Sequence, residues 1–295
     1  MTLQVWLDGR ILPADDVTVS PFAHALHYGT GVFEGIRCYP TDTGAAVFRL
    51  PEHAERMRRG AEVLGLELDP VVLSRAIVET LRANGQRDAY IRPIMFYGTG
   101  GLRLDTAELS QHLLVATLSW NSHFGEAGAP GIRLGTSPWR RNPSSSLPPL
   151  KLCGGYVNSV LAKRDATRRG LDEALFVDEA GLVVECPGEN VFMVKDGMVT
   201  SVDHPDALPG ITRATVIELS GAESRPVTLS ELRQADEIFV TGTSAEVSLV
   251  GELDGRALGP SPVSRALAER YAGLVRGREP AYAEWLTEVG EVAVR

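Results

Sequence analysis

Strand-like and helix-like segments follow one another irregularly along this chain, without a regular strand–helix–strand repeat. Helical periodicity covers residues 52–64, 70–84, 156–169, 211–220 and 262–274, and β-rich runs cover residues 5–7, 10–12, 90–97, 112–118, 174–178, 182–186, 191–195 and 237–241. A doubly wound parallel sheet needs strands that alternate with helices. The pattern therefore predicts a mixed fold of the α+β class.

Several segments have clear local end signals. Asp69-Pro70 is typical of a helix start, and Gly85 is typical of a helix end. Asp8-Gly9 and Asp196-Gly197 each separate two short β-rich runs, which predicts two tight hairpins.

The apolar residues of the helix over 156–169 are expected to face the core. Val157, Val160 and Leu161 would be buried, and Gly170 would end the helix. The stretch before this helix, residues 140–149, is rich in Ser and Pro, so it is predicted to be an irregular loop near Lys151.

A chain of 295 residues is expected to divide into two domains. Periodicity is lost between Ser119 and Gly131, so residues 119–131 are the predicted interdomain loop. The predicted N-terminal α/β domain is residues 1–118, and the predicted C-terminal domain is residues 132–295.

Charge and cysteine content limit the possible partners. A formal net charge of −9 without a long basic run argues against a nucleic-acid partner. Cys38, Cys153 and Cys186 form no C-x-x-C pair and are expected to be reduced thiols. The N-terminus does not resemble a signal peptide, and no apolar run approaches the ~20 residues that cross a bilayer. We expect a cytoplasmic protein without a membrane partner.

Two other patterns carry little weight. Gly29-Thr30-Gly31 with Gly35 has the wrong spacing for a dinucleotide-binding loop and follows no clear strand. His24 and His27 could share a helix face, but no third ligand accompanies them, so we expect no metal site.

Lys151 is one of few lysines in the chain and lies beside Leu152, Cys153 and two glycines. Such a setting suits a nucleophile that forms a Schiff base, whereas a solvated surface lysine is the alternative. Glu185 follows the apolar run 182–184, where a carboxylate needs a partner. A protonated pyridine nitrogen would be such a partner, and an outward-facing glutamate of a strand is the alternative.

The turn Leu208-Pro209-Gly210-Ile211-Thr212 opens a predicted helix. Exposed N–H groups at a helix start favour a phosphate, although an ordinary capped helix is the alternative. Arg56 could add positive charge, but the neighbouring Arg58 and Arg59 are also typical of a solvated helix face. An amine, a carboxylate and a phosphate cradle are together what a protein needs to hold pyridoxal phosphate.

This combination resembles the class IV (fold-type IV) pyridoxal-phosphate aminotransferases, and among them the branched-chain amino acid aminotransferases. The resemblance extends from Trp6 to about Arg256. It rests on the blocks His24-Ala-Leu-His-Tyr-Gly29, Val32-Phe-Glu-Gly-Ile-Arg-Cys-Tyr39, Ala89-Tyr-Ile-Arg-Pro93, Lys151 with Gly154-Gly155-Tyr156, Glu185 with Gly188-Glu189-Asn190, residues 208–212, and Gly242-Thr-Ser-Ala-Glu246.

The resemblance implies two domains with the cofactor at their interface, held mainly by the C-terminal domain. Lys151 would form the Schiff base and carry the proton between the substrate α-carbon and C4′ of the cofactor. Glu185 would pair with the pyridine nitrogen, and Tyr156 would donate to the phenolic oxygen. The other implied cofactor residues are Arg56, Asn190, Leu208, Gly210, Ile211, Thr212 and Thr243.

The resemblance also implies the substrate contacts. Thr243, Ser244 and Ala245 match a loop that donates backbone N–H groups to the α-carboxylate. An apolar pocket is matched by Tyr28, Phe33, Gly35 and Tyr90, with Tyr28 and Gly35 serving across a dimer interface. Arg37 and Arg92 match positions that help to accept the second carboxylate of glutamate or 2-oxoglutarate.

The implied reaction is transamination between a branched-chain L-amino acid and 2-oxoglutarate, giving the 2-oxo acid and L-glutamate in amino-acid biosynthesis. A homodimer or higher homo-oligomer is implied as well. The sequence departs from the family at His123, where a tyrosine is usual, at Ser244, where alanine is commoner, and at Cys186-Pro187.

These departures fall on the substrate side, so other reactions of the same fold are kept as alternatives. They are a D-amino acid or (R)-amine aminotransferase, an aminodeoxychorismate lyase, and a variant aminotransferase of specialised biosynthesis. Tyr90-x-Arg92 and the block at 242–246 disfavour the first two. A pyridoxal-binding protein without catalysis is disfavoured because both Lys151 and Glu185 are present.

Overall fold

The computed structural model describes residues 2–120, 123–124 and 131–290 of the chain. These residues form two compact units. The first unit contains residues 2–120, 150–154 and 274–290, and the second contains residues 123–124, 131–149 and 155–273. Two short segments distant in sequence, one of which includes Lys151, therefore belong to the first unit.

Strands and helices are interspersed along both units. In chain order the strands are β1 (Gln4–Leu7), β2 (Arg10–Pro13), β3 (Gly31–Phe33), β4 (Ile36–Thr41), β5 (Gly44–Phe48), β6 (Ala89–Tyr97), β7 (Gln111–Leu118), β8 (Ile132–Thr136), β9 (Glu173–Leu175), β10 (Asn190–Lys195), β11 (Met198–Val202), β12 (Glu223–Arg225), β13 (Glu237–Gly242), β14 (Glu246–Leu253), β15 (Arg256–Ala257) and β16 (Leu286–Glu288). The α-helices are α1 (His24–Tyr28), α2 (Leu50–Leu64), α3 (Pro70–Asn84), α4 (Tyr156–Arg168), α5 (Ile211–Ser220), α6 (Leu229–Leu232) and α7 (Pro262–Leu274). The predicted α+β class is confirmed.

The first unit is built on an antiparallel sheet in the order β16-β5-β4-β6-β7-β1-β2. β4 pairs with one end of β6, and β3 pairs with the other end. Helices α2 and α3 cover the sheet, and their apolar residues share one core with it. Glu34 and Gly35 connect β3 to β4, and Glu34 lies in the polar cluster of this unit that is described below.

The predicted end signals of the first unit are confirmed. The Asp69 side chain accepts a hydrogen bond from Val71 N at 2.8 Å, and Gly85 ends α3 in the left-handed conformation. Asp8-Gly9 connects β1 to β2 as a tight antiparallel hairpin.

The second unit is built on a mixed sheet in the order β12-β11-β10-β13-β14-β8-β9, with β15 paired to β14. The pairs β11–β12, β14–β8 and β8–β9 are parallel, and the pairs β10–β11, β10–β13 and β13–β14 are antiparallel. The hairpin predicted at Asp196-Gly197 connects β10 to β11. The predicted helix bounds 211–220 and 262–274 agree with α5 and α7.

The predicted inward face of α4 is wrong for two of its three residues, and the third, Leu161, is partly buried. Val157 and Val160 are each 62% exposed, and the buried residues are Ser159, Ala162 and Ala166. Ala162 and Ala166 pack in a small cluster with Phe176 of the same unit. Small side chains allow the helix to approach this neighbour closely, which the hydrophobicity of the valines did not reveal.

The strand predicted over residues 182–186 is also wrong. Leu182 and Val183 form only isolated bridges, to Thr228 and Val177, and Glu185 lies in an irregular segment. That segment is still held in place, because Phe176 N donates to Glu185 O at 2.9 Å.

The predicted interdomain loop over 119–131 lies mostly outside the described residues, which include only 119, 120, 123, 124 and 131 of it. Among the residues that the structure does describe, no helix combines the length and the apolar character needed to cross a bilayer.

Candidate active site

Lys151 is held by strand β3 of the first unit. Phe33 N donates to Lys151 O at 3.1 Å, and Leu152 forms a bridge with Val32. The Lys151 ammonium lies 5.1 Å from the centre of the Phe33 ring. The backbone of the predicted nucleophile is therefore fixed, while the amine of this half-buried residue lies beside an aromatic face.

A close approach of two glycines fixes the chain just after Lys151. Gly154 N donates to Gly29 O at 3.1 Å, and Gly29 has a positive φ of 66°. A Cβ at Gly29 would lie 2.7 Å from Gly154 Cα, so this contact requires glycine.

Arg56, a predicted phosphate residue, is buried in a charged cluster at the end of β3. Its Nε and Nη2 donate to the two oxygens of Glu34 at 2.6 and 2.8 Å. His53 Nδ1 contacts the same carboxylate at 2.9 Å. Glu34 is fully buried; burial raises the pKa of Glu34, but Arg56 and His53 hold that pKa well below its usual range.

Three predicted substrate residues lie together beside Phe33. The Arg92 guanidinium lies 4.7 Å from the centre of the Phe33 ring, and its Nη2 donates to the Tyr90 hydroxyl at 3.0 Å. A Cβ on Gly35 would overlap that hydroxyl, so glycine at 35 creates the space for Tyr90. Trp120 stacks on Tyr90 with ring centres 4.8 Å apart.

The other two predicted substrate residues of this unit have different surroundings. Arg37 Nη2 lies 2.7 Å from Asp88 Oδ1, and its guanidinium stacks over Tyr39 at 4.7 Å. Tyr28 is 47% exposed, and its hydroxyl donates to Leu102 O at 3.0 Å. These side-chain contacts are therefore made with residues outside the group of Phe33, Tyr90 and Arg92.

In the second unit, Glu185 lies in a dense set of donors. Arg141 Nε lies 2.8 Å from Glu185 Oε1, and Leu208 N donates to Oε2 at 3.0 Å. Asn190 Nδ2 donates to Leu208 O at 2.9 Å and lies 3.3 Å from Glu185 Oε2. Glu185 is buried, and these donors favour its ionised form.

The start of α5 follows directly after Leu208. Gly210 is its N-cap residue and provides no side-chain cap, and the first helical residues, Ile211 and Thr212, are buried. A Cβ on Gly210 would overlap Asn190 Oδ1. The glycine therefore brings the helix start against Asn190, and the N–H groups of the first turn suit an anion.

Thr243, Ser244 and Ala245 form the turn between β13 and β14. Ser248 Oγ donates to Ala245 O at 2.6 Å, which holds the end of the turn. A Cβ on Gly242 would lie 3.0 Å from Gly188 O, so glycine at 242 lets this turn start close to residue 188.

Tyr156, the first residue of α4, lines a cavity of about 400 Å³ in the second unit. His123 and Ser244 line the same cavity, so three predicted residues meet there. His123 Nε2 lies 3.3 Å from Glu189 Oε1. His123 and Ser244, two positions where the sequence departs from the family that it resembles, therefore line one cavity.

Ionisation in this cavity departs from ordinary values. Burial, followed by the Glu173 carboxylate, raises the pKa of Glu189 to about 8. Burial, followed by the Lys163 ammonium, lowers the pKa of His123 to about 4. Both shifts favour the uncharged forms of these two facing groups.

One cluster in the described residues has metal-ligand composition. Candidate ligand atoms of His123, Glu173 and Glu189 all lie within 4.8 Å of one another. Their sequence spacing gave no sign of this proximity. Lys163 Nζ lies 2.8 Å from Glu173 Oε2 and supplies positive charge to the group, so we assign no cation here and the expectation of no metal site stays a prediction.

Comparison with known proteins gives the family. The model of amino-transferase class IV matches residues 31–253. The branched-chain-amino-acid aminotransferase of Pseudomonas aeruginosa is 38% identical over 97% of both chains. The chain belongs to the class IV aminotransferases.

Solved structures of this family agree with the fold. The T.th. branched-chain amino acid aminotransferase complexed with N-(5'-phosphopyridoxyl)-L-glutamate is 42% identical, with a TM-score of 0.93 over 98% of this chain and 99% of that one. The same protein complexed with 4-methylvaleric acid gives a TM-score of 0.92 with the same identity and coverage.

Sequence reasoning missed several polar residues of this class IV aminotransferase. Arg141, Glu34 and Glu189 were not singled out, although each contacts a predicted residue, and His53, which contacts Glu34, was missed as well. The signal for Glu34 was available, because a carboxylate between Phe33 and Gly35 in an apolar run must find a partner.

Proposed function

We propose that this class IV aminotransferase uses pyridoxal phosphate to move the amino group of a branched-chain L-amino acid to 2-oxoglutarate. The observation that carries this proposal is the Lys151 amine, which is held beside Phe33 by a backbone bonded to β3. The ligands in the two T.th. complexes support it, because one contains a phosphopyridoxyl group with glutamate and the other is a branched aliphatic acid.

The residues present fit this cofactor. The start of α5 has N–H groups without a side-chain cap, and Gly210 keeps the approach to it clear of a Cβ. We propose that Ile211, Thr212 and Thr243 bind the phosphate with Arg56. The anionic Glu185, fixed by Leu208 N and Asn190, would bind the pyridinium nitrogen, and Tyr156 would donate to the phenolic oxygen.

Bound pyridoxal phosphate supplies an aldehyde that takes up the amino group and a ring that withdraws electrons from the substrate α-carbon. Lys151 Nζ would hold the cofactor, and its free amine would accept the proton from the substrate α-carbon. Glu185 would face the ring nitrogen and favour a positive charge on it.

One site must accept both an aliphatic side chain and the second carboxylate of 2-oxoglutarate. We propose that Phe33, Gly35 and Tyr90 provide the apolar wall, and that Arg92 on the Phe33 face pairs with the carboxylate. Tyr28, Arg37, His123, Ser244 and Ala245 complete the proposed substrate set. Because Arg37 already lies against Asp88, Arg92 is the better placed of the two arginines.

We also propose a cytoplasmic homodimer or higher homo-oligomer in which Tyr28 and Gly35 serve across a dimer interface. Phe22, Leu26 and Leu104 are large apolar residues that are at least 65% exposed, and the bond from Tyr28 to Leu102 ties these two regions together. Such a patch favours a second copy of the chain. Light scattering of the purified chain should give twice the monomer mass or a higher multiple of it, and a monomer mass would contradict this proposal.

The amino-donor specificity of the purified protein tests the function. With 2-oxoglutarate as acceptor, L-leucine, L-isoleucine and L-valine should yield glutamate, whereas D-alanine and a simple (R)-amine should not. Activity with D-alanine and none with L-leucine would overturn the proposal in favour of a D-amino acid aminotransferase.

Lys151→Ala tests the catalytic assignment. This variant should lose turnover and the absorbance band of the Schiff base between cofactor and lysine, because no other amine is proposed to reach the cofactor. Lys195→Ala is the matched control, since Lys195 is a half-exposed lysine paired with Asp236. Retained amino transfer by the Lys151 variant would defeat the assignment.

A further inference from the structure

We propose that Glu34 is a positioning residue that clamps the Arg56 guanidinium and aims it at the phosphate of the proposed cofactor. Resting on the proposed function, this inference assigns a role to a carboxylate that touches neither substrate nor cofactor. Its basis is the geometry around Glu34 in the first unit.

The clamp is bidentate. Glu34 accepts from Arg56 Nε at 2.6 Å and from Arg56 Nη2 at 2.8 Å, which occupies one edge of the planar guanidinium. These two bonds fix the plane of the guanidinium. An arginine side chain loses considerable rotamer freedom when it binds an anion. Because Glu34 already fixes Arg56 in the folded chain, phosphate binding carries less of this entropy cost.

The clamp is itself rigid. Glu34 is fully buried between β3 and β4, and Glu34 N donates to Pro93 O at 3.0 Å. His53, one turn before Arg56 on α2, holds Glu34 Oε2 at 2.9 Å. Since Phe33 N bonds Lys151 O, the short segment Phe33-Glu34 fixes both the nucleophilic lysine and the phosphate arginine.

Glutamine at position 34 cannot reproduce this arrangement. The carboxylate receives two N–H groups from Arg56 and faces the His53 ring, whereas an amide offers one acceptor oxygen and turns N–H groups toward the same donors. The guanidinium must then rotate away. A carboxylate that acted only by opposing the charge of Arg56 would have the opposite effect, because its removal would strengthen the attraction for phosphate.

The experiment compares two ligands that differ only in the phosphate. The full chain, freed of cofactor, is titrated with pyridoxal phosphate and with pyridoxal, and binding is followed by absorbance. In Glu34→Gln, the dissociation constant for pyridoxal phosphate should rise about 10- to 100-fold, while that for pyridoxal should change less than about threefold. Glu55→Gln, which removes an exposed carboxylate of α2 paired with Arg58, is the matched control and should change neither.

A double variant distinguishes an effect through Arg56 from a nonspecific disturbance of the folded site. Glu34→Gln should weaken pyridoxal phosphate binding little further in an Arg56→Met background, because the group that it positions is then absent. Should Glu34→Gln fail to fold, Glu34→Asp keeps the charge, withdraws the carboxylate and should still weaken pyridoxal phosphate more than pyridoxal.

Three outcomes would overturn the inference. These are unchanged or tighter binding of pyridoxal phosphate by the Glu34 variant, equal weakening for both ligands, and the same loss with and without Arg56. In each of these cases the wild-type chain still binds pyridoxal phosphate, so the proposed function survives. Failure of the wild-type chain to bind pyridoxal phosphate would instead remove the function and the inference together.

Discussion

Arg141 Nε lies 2.8 Å from Glu185 Oε1, and both side chains are almost completely buried. The pairing places a positive charge against a carboxylate that follows an apolar run in the second unit. A pyridinium nitrogen was the partner expected from the sequence, yet the chain supplies a cation of its own. Glu185 therefore has a position fixed by the chain's own groups.

Arg141→Met should destabilise the chain severely. Removal of one partner from a buried ion pair leaves the other charge uncompensated, which costs about 3–5 kcal/mol. Arg133→Met is the control, because the Arg133–Asp172 pair is largely exposed on the arginine side and should contribute less than about 1 kcal/mol. Urea unfolding of both variants measures the difference, and equal losses would contradict the role given to Arg141.

The parts of the fold that the sequence predicted well are those with local causes. The end signals of α3, the turn of the β1–β2 hairpin and the bounds of α5 follow from capping and turn chemistry within a few residues. Local sequence did not predict the buried face of α4, where Val157 and Val160 are exposed. That face depends on which residues of the rest of the unit pack against the helix.

The site shows the same division. Lys151, Glu185 and the helix start at Gly210 were predicted because neighbouring residues make each of them unusual. Arg141 lies 44 residues before Glu185 in the sequence and within an irregular Ser/Pro-rich stretch, so no local pattern connects the two. The contact of His123 with Glu189 likewise depends on the tertiary fold.

Gly35→Ala should displace Tyr90. The added Cβ would overlap the tyrosine hydroxyl and lie 2.9 Å from Cζ, so we expect a loss of about 1–3 kcal/mol in the free energy of unfolding. Tyr90→Phe in the same chain removes the overlapping hydroxyl and should restore part of the loss. Gly259→Ala, where nothing lies within 4 Å of the new Cβ, should change stability by less than about 0.5 kcal/mol. A loss no larger than that of the control would argue against the tight contact.

Gly210→Ala and Asn190→Ala should be strongly coupled. The Cβ of an alanine at 210 would overlap Asn190 Oδ1, and that overlap vanishes when Asn190 is truncated. Each single variant should destabilise the chain, and the double variant should lose less than the sum by about 0.5–3 kcal/mol. Chemical unfolding of the four proteins gives this coupling energy, and simple additivity would show that the two residues do not touch.

Glu189→Gln should remove a pH dependence from stability. Because burial and then Glu173 raise the pKa of Glu189 from 4.5 to about 8, the folded chain keeps a proton that the unfolded chain releases. The free energy of unfolding therefore falls as pH rises through this range. His123, whose pKa is lowered from 6.5 to about 4, affects stability mainly below pH 6.5, so measurements from about pH 6.5 to 8.5 report on Glu189 and its neighbour Glu173, whose pKa is also raised. Across that window wild type should lose roughly 1–2 kcal/mol relative to the variant, and parallel stability curves would show that Glu189 is already ionised at pH 6.5.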